Sequence, residues 1–584
     1  MNMSVRLPKV NKQRRRLYDA SQRLNNYPSE RQLLFWQRRQ WMLSLFILII
    51  TVLLGRAVYL QLIHKDFLQT QGDARHQRIL KLPAYRGRLL DRYGSPLAIS
   101  TPVESVWVNP KQFIEALPQW ETLATLLGLS FTELNALLAK RLQREFVYLK
   151  RHVSPSVAKQ VRDLNLPGVF LQQEYRRYYP AAEITAHFIG FTNIDDQGQE
   201  GLELALDKFL TGRPGSKKVV QDKERHIIAE VEALKAPKPG QDIRLSIDLR
   251  LQYIAYRELK AAVQTAHAQA GSVVVMDVHT GEVLAMVNQP AYNPNNRQDR
   301  NSDHYRNRVI TDVFEPGSTL KPFTIAAALE SGQYTPASQV DTRPGRLQVG
   351  EYTIRDSRNY GLIDLGTIIQ RSSNVGASKI ALSLAPKQLG YILQAVGFGK
   401  ETRSGFPGEV AGYLPHFTKW HPTEQATLSF GYGLNVTVLQ LARAYAVLGN
   451  EGVLPPVKLL PVQRKTKQDV RVMSVESAQK VLTMLEAVVK KGGTGSRASV
   501  LGYRVAGKTG TARKVVDKEY SDNEHIALFA GIAPVEKPRL AMVVLIDEPQ
   551  GKNYYGGKVA APVFAKIMAE ALRLLNIAPD TTAF

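Results

Sequence analysis

One stretch of the chain is apolar on every side: WMLSLFILIITVLLGRAVYL, Trp41 to Leu60, about the length that crosses a bilayer core. Its one charge, Arg56, lies near an end, where its stem can reach the interface. Trp36 and Trp41 suit one membrane boundary and Tyr59 the other. This predicts an uncleaved anchor helix. A signal peptide would carry a far shorter positive region, and no small-x-small cleavage site follows. Residues 61 to about 235 then mix charge with short apolar runs such as SVWVNP and GVFLQQEY. The Pro-, Gly- and Lys-rich EALKAPKPGQD, about 232 to 242, reads as a domain boundary. Beyond it, DIRLSIDLRLQYIAYRELKAAVQTA runs from a strand into an amphipathic helix. GSVVVMDVHTGEVLAMV reads as a hairpin turning at His279-Thr280-Gly281. Helices alternate up to about Asn450, and the end returns to strands: YRVAGKTGTARKV, IALFAGIAPV and LAMVVLIDEP, then the helix APVFAKIMAEALRLL. Strands at both ends of a domain with helices between them predict an α/β sandwich, its sheet completed from distant segments. The pattern therefore divides the chain into an arm (1–40), an anchor (41–60), a mixed region (61–235) and an α/β domain (236–584).

Composition narrows this picture. The net charge is +24 over 584 residues, and residues 1–40 alone hold ten Lys or Arg against Asp19 and Glu30. A basic arm before an apolar span places the arm in the cytoplasm and everything after about residue 61 outside. Nucleic-acid binding would need an aromatic platform or a helix-turn-helix beside the arm, and neither is present in the pattern. The chain has no cysteine, which excludes disulfides and cysteine zinc sites, and its eleven histidines show no His-Glu-x-x-His spacing. No metal or other cofactor is expected.

The candidate chemistry begins at FEPGSTLKPF, residues 314 to 323. Pro and Gly break the chain, STLKPFTIAAALE reads as a helix start, and Ser318 falls in its first turn with Lys321 on the same face. A helix N-terminus also favours the oxyanion made when a serine attacks a carbonyl. Ser-x-x-Lys is weak alone, because Ser156–Lys159 and Ser477–Lys480 repeat it. Two further patches decide. Ser372-Ser373-Asn374 lies in a polar turn before a helix, and Lys508-Thr509-Gly510-Thr511 lies in a β-rich run, where Lys-Ser/Thr-Gly occurs once. A literal Ser521-Asp522-Asn523 comes after Lys-Thr-Gly and is out of order. GGTGS, Gly492 to Ser496, lacks the surroundings of a phosphate loop and reads as a turn before the Lys-Thr-Gly strand. Tyr432 in SFGYG is read first as packing and second as a cleft residue.

Ser-x-x-Lys, Ser-x-Asn and Lys-Thr-Gly in this order resemble the penicillin-binding proteins and serine β-lactamases. RGRLLDRYGSPLA, RRYYP and GQEGLELALDKFLTG resemble the pedestal motifs of the class B penicillin-binding proteins, with Leu89 where isoleucine is common. GEVLAMVNQPAYNPN, EPGSTLKPF, SFGYGLNVT, GGTG and KTGTARK resemble that family's catalytic domain. Glu315 and YYGGKVAAPVF lean towards its division-specific branch. The resemblance implies a membrane-anchored α+β pedestal, then a domain with a five-stranded antiparallel sheet and helices, like the serine β-lactamases. It implies D,D-transpeptidation of peptidoglycan stem peptides ending in D-Ala-D-Ala, inhibition by β-lactams, and partnership with a membrane glycosyltransferase and other division proteins. By resemblance Ser318 is the nucleophile and Lys321 its base. Ser372 carries a proton, Asn374 orients Lys321, and Lys508 supplies charge. Thr509 and Thr511 hold a carboxylate, Gly510 allows close approach of the substrate, and the oxyanion meets the N–H groups of Ser318 and Thr511. The elongation branch is the runner-up. A carboxypeptidase or a β-lactamase could use the same motifs, but length, the anchor and the lack of a deacylating glutamate motif oppose a β-lactamase. A penicillin-sensing receptor would carry more membrane spans.

Overall fold

The structure, a computed structural model, describes residues 30–68, 77–221, 227–296, 302–462, 470–516, 519–551 and 553–581. Most of the expected basic arm lies outside these residues. The chain forms two compact units, Met1–Lys81 with Ser216–Lys235, and Leu82–Gly215 with Ala236–Phe584.

In the first unit, Glu30–Val58 is a helix continued by a π turn, Tyr59–Ile63. Its span of thirty residues, Leu34–Ile63, is long and apolar enough to cross a membrane, and none of the described residues covers its most apolar stretch. A helix apolar on all sides and covered by nothing needs lipid around it. The unit also holds a three-stranded sheet of Gln77–Leu82, Gly215–Gln221 and Ile227–Lys235.

In the second unit, the long strand Pro96–Val108 pairs antiparallel with both Val147–Val153 and Val169–Tyr178. Phe113, Trp120, Leu123 and Leu134 build a separate small core over this sheet. This part is joined to the rest of the unit by a shared apolar core, in which Leu97 and Phe188 cluster with Met286 and Phe406, and by polar contacts. Arg92 pairs with Glu282 at 3.0 Å, and the Tyr292 hydroxyl donates to the Ala186 carbonyl at 3.0 Å. Beside them, Glu203 is fully buried and binds Arg86 and Arg177 at 2.6 Å each. Removing one partner of such a buried set costs about 3–5 kcal/mol, because an unpaired charge stays behind.

The larger part of this unit is built on helix α1 (Leu249–Thr265) and strands β1 (Ala270–Asp277), β2 (Val283–Gln289), β3 (Ala506–Val516), β4 (Glu519–Ala533) and β5 (Leu540–Asp547). They form one antiparallel sheet in the order β2-β1-β5-β4-β3. Val287, Val273, Val544, Phe529 and Thr509 lie in register across it. The expected hairpin and the five-stranded sheet drawn from distant segments are both present. Both faces are covered, so β1 is buried almost throughout and reads as a continuous apolar run. Val273 and Val275 face one core with α1 and the C-terminal helix Ala561–Leu574. Val274 and Met276 face the other, with Phe323 and Tyr445.

Candidate active site

The turn that carries Ser318 departs from the expected helix start. Gly317–Leu320 is a 3-10 turn, and α2 (Lys321–Glu330) begins only at the lysine. The cause lies in the next residue. Pro322 has no N–H to donate to the Ser318 carbonyl, which instead accepts from the Lys321 N–H. In a 3-10 turn, residues i and i+3 eclipse, and Lys321 Nζ stands 2.9 Å from Ser318 Oγ. The turn is fixed by its neighbours: the Tyr445 hydroxyl donates to the Thr319 carbonyl at 2.9 Å, and the Gly317 N–H donates to the Gly431 carbonyl at 3.0 Å. A Cβ on Gly431 would lie 2.1 Å from the Gly317 oxygen, so only glycine fits there.

The second motif is a junction between helices α3 (Leu365–Arg371) and α4 (Asn374–Ser383). Ser372 ends α3 in the left-handed region, φ 60°, and Ser373 caps α4 by accepting from the Gly376 N–H at 2.9 Å. A left-handed serine costs about 1–2 kcal/mol. Asp356 offsets this, accepting from Ser373 Oγ at 2.6 Å, the Asn374 N–H at 2.5 Å and the Val375 N–H at 3.0 Å. So held, the junction aims three oxygens at Lys321 Nζ: the Ser372 carbonyl at 2.6 Å, Ser372 Oγ at 3.1 Å and Asn374 Oδ1 at 2.7 Å.

The third motif lies on β3, where Lys508 Nζ donates to Ser372 Oγ at 3.0 Å and to the Thr509 carbonyl at 3.1 Å. Ser318, Lys321, Ser372, Asn374 and Lys508 thus form one connected set, with both lysines completely buried. Burial, then the Lys508 charge, push Lys321 well below the ordinary lysine range against the opposing pull of Asp356. Burial lowers Lys508 to about 7.

The sequence is compatible with one family. Residues 271–569 match the penicillin-binding protein transpeptidase domain, and residues 81–245 match the penicillin-binding protein dimerisation domain. The chain belongs to the penicillin-binding protein transpeptidase family. It is 43% identical over 539 residues to the peptidoglycan D,D-transpeptidase FtsI of Escherichia coli, covering 91% of each chain. It is also 43% identical over 531 residues to a probable peptidoglycan D,D-transpeptidase PenA of Neisseria meningitidis, covering 90% of this chain and 91% of that one. Among solved structures, the transpeptidase domain of Burkholderia pseudomallei penicillin-binding protein 3 matches with a TM-score of 0.53 and 43% identity, covering 58% of this chain and 98% of that one.

Thr509 and Thr511 share a strand face. Thr509 Oγ1 donates to Thr494 Oγ1 at 2.9 Å, and Thr511 Oγ1 accepts from the Gly556 N–H at 3.1 Å. Gly510 also makes a close contact within the protein. A Cβ there would lie 2.9 Å from Thr319 Cγ2 and 3.1 Å from the Pro316 carbonyl, so the close approach is made by the serine's own turn. In the competing Ser-x-x-Lys pairs the serine and lysine do not bond each other: Ser156 is exposed, and Ser477 is buried while its lysine turns to an acid. Ser156 Oγ bonds Ser154 Oγ at 2.9 Å, and Lys480 pairs with Glu476 at 2.5 Å. Ser521 caps its own strand bend, bonding the Asn523 N–H at 3.3 Å. Tyr432 packs against Phe430 and Tyr520, with ring centroids 5.7 and 5.6 Å away.

Two neighbours of the set have no motif to reveal them: Asp356 sits in the hairpin region before the Ser-x-Asn junction, and Tyr445 on a helix 127 residues after Ser318. Thr494 lies in the GGTG turn, whose motif does not show its bond to Thr509. Glu315, which the sequence marks only by its resemblance to the division branch, also has a structural place. Its Oε1 accepts from the Gly433 N–H at 2.8 Å and the Tyr520 hydroxyl at 3.1 Å, and burial pushes its carboxyl up.

Proposed function

We propose that this chain is a serine-type D-Ala-D-Ala transpeptidase that cross-links peptidoglycan stem peptides during septal wall synthesis. The hydrogen-bond supply of Lys321 carries the reading. The Ser372 carbonyl at 2.6 Å and Asn374 Oδ1 at 2.7 Å can only accept. A neutral amine has two N–H groups and one lone pair, so donating both leaves the lone pair for the Ser318 hydroxyl at 2.9 Å. Burial and the Lys508 charge favour that neutral form.

Ser318 Oγ attacks the carbonyl of the penultimate D-alanine while its proton passes to Lys321. The N–H groups of Ser318 and Thr511 receive the oxyanion. Ser372 Oγ, 3.1 Å from Lys321 Nζ and 3.0 Å from Lys508 Nζ, relays the proton to the departing amine. The C–N bond breaks, D-alanine leaves, and an ester to Ser318 remains. The amine of a second stem peptide then attacks that ester, and Ser318 recovers its proton. Lys508, Thr509 and Thr511 hold the donor's terminal carboxylate. A β-lactam carbonyl follows the first half of this course and stops at the ester, because the opened ring stays attached.

The same reading gives the chain an inner-membrane anchor with the arm in the cytoplasm. Residues 61–235 form a non-catalytic pedestal, and 236–584 the transpeptidase domain. A membrane glycosyltransferase and other division proteins are partners reached through the anchor and pedestal. The test is covalent labelling by a fluorescent penicillin. Ser318→Ala loses the label while the protein still folds and inserts; Ser156→Ala and Ser477→Ala keep it. Label that survives in Ser318→Ala would sink the assignment.

A further inference from the structure

The rim around the Ser-x-Asn junction carries charge that the reaction above does not use. The hairpin Arg346–Val349 with Tyr352–Arg355 places Arg346 directly opposite Arg355, and both are exposed. Like charges facing each other across an antiparallel pair are destabilising. Nearby cations have partners: Arg343 pairs with Asp341 at 2.8 Å and Lys490 with Glu486 at 3.1 Å. Among the described residues, neither Arg346, Arg355 nor Arg358 has a carboxylate within 4.0 Å, the reach of those pairs. The patch is continuous with the reaction centre. The Arg355 carbonyl accepts from Asn374 Nδ2 at 3.2 Å, the next residue, Asp356, holds the junction, and Arg358 lies over the Tyr360 ring at 5.2 Å. The Tyr360 hydroxyl in turn donates to the carbonyl of Arg371 at 3.4 Å, one residue before Ser372. Arg371 reaches on to the Gly492 carbonyl at 2.9 Å, beside the exposed Lys491. The hairpin's own acid, Glu351, is at its far tip, and Asp356 is engaged inward.

We infer that this basic rim, Arg346, Arg355 and Arg358 foremost, is a subsite for carboxylates of the stem peptide upstream of its D-Ala-D-Ala end. The inference rests on the proposed function and names a part of the substrate that the Ser-Lys-Asn set does not touch. A repelling arginine pair kept on a hairpin one hydrogen bond from Asn374 is explained by an anion that neutralises it when substrate arrives. Long-range attraction to that rim also speeds capture of an anionic peptide, in a salt-dependent way.

The experiment uses the full chain in detergent and two synthetic donors ending in D-Ala-D-Ala, one with a free carboxylate upstream and one with that group amidated. D-alanine release is measured for the wild type, Arg346→Gln and Arg346→Glu. For the wild type, amidation raises KM about two- to fivefold, the range of one exposed ion pair. In Arg346→Gln that ratio shrinks, and in Arg346→Glu it falls to one or reverses. The melting temperature of Arg346→Glu does not fall, because a glutamate opposite Arg355 replaces repulsion with attraction. At high ionic strength, which screens long-range attraction, acylation by benzylpenicillin, which lacks the upstream peptide, stays within about twofold of the wild-type rate in both variants. An amidation ratio unchanged by either substitution overturns the subsite. So does a rim whose charge affects only binding to anionic lipid vesicles. Loss of penicillin acylation from the wild type itself would instead overturn the transpeptidase reading.

Discussion

At the residue scale, the two lysines are alike in burial and opposite in role. On the proposed mechanism Lys321 is neutral to take the Ser318 proton, and Lys508 is cationic to hold a carboxylate and to keep Lys321 neutral. Arginine cannot deprotonate in a protein, so Lys321→Arg loses acylation almost as fully as Lys321→Ala, by roughly 10² or more, the range of a lost general base. Lys508→Arg is milder, since a cation remains. The pH profile separates the two roles. With Lys508 lowered to about 7, its cationic fraction falls as pH rises through that value, so the second-order acylation rate of the free enzyme declines above it. Lys508→Arg removes that alkaline limb. If Lys321→Arg acylates at close to the wild-type rate, Lys321 is an electrostatic partner and the base lies elsewhere. An alkaline limb that persists in Lys508→Arg would assign it to another group.

At the element scale, what could be read from sequence was what repeats locally. The strands of the sheet carry apolar runs bounded by turns, and three short motifs sit at the ends or edges of elements, so both were legible. The 3-10 turn was not, because its cause is the single missing N–H of Pro322 rather than a periodicity. Asp356 was not legible either: it lies 16 residues before Ser372 in sequence and meets the junction only when the hairpin folds onto α4. Gly510 shows the same limit. The sequence singles out the glycine but not the packing of the Ser318 turn against β3, which leaves no room for a Cβ there. A methyl group there must displace Thr319, the residue after the nucleophile. We expect Gly510→Ala to cost about 1–3 kcal/mol of stability, as overpacking does, and to slow penicillin acylation at least tenfold. A variant that acylates normally would show that the turn yields without moving Ser318. Thermal unfolding beside acylation kinetics makes the measurement.

At the scale of the whole molecule, the question is which side of the membrane each part occupies. The apolar span covers thirty residues, which at about 1.5 Å per residue is about 45 Å, more than the ~30 Å hydrocarbon core. The helix therefore spans with tilt or with its ends in the interfaces. The proposed orientation rests on charge: eight basic residues stand before Leu34, and Arg38 and Arg39 lie in the first turns of the span, against two acidic residues in the first forty. Moving that net charge of +8 outward would oppose the membrane potential, at about 2.3 kcal/mol per charge per 100 mV. On the proposed function the arm stays inside, and the sheet, both buried lysines and the basic rim lie outside, where stem peptides are joined. In cells whose outer membrane has been made permeable, added protease is expected to digest residues beyond 61 and leave a short N-terminal fragment carrying the arm. Antibodies to the two ends read the result. Protection of the C-terminal domain, with loss of the arm, would reverse the topology and remove the enzyme from its substrate.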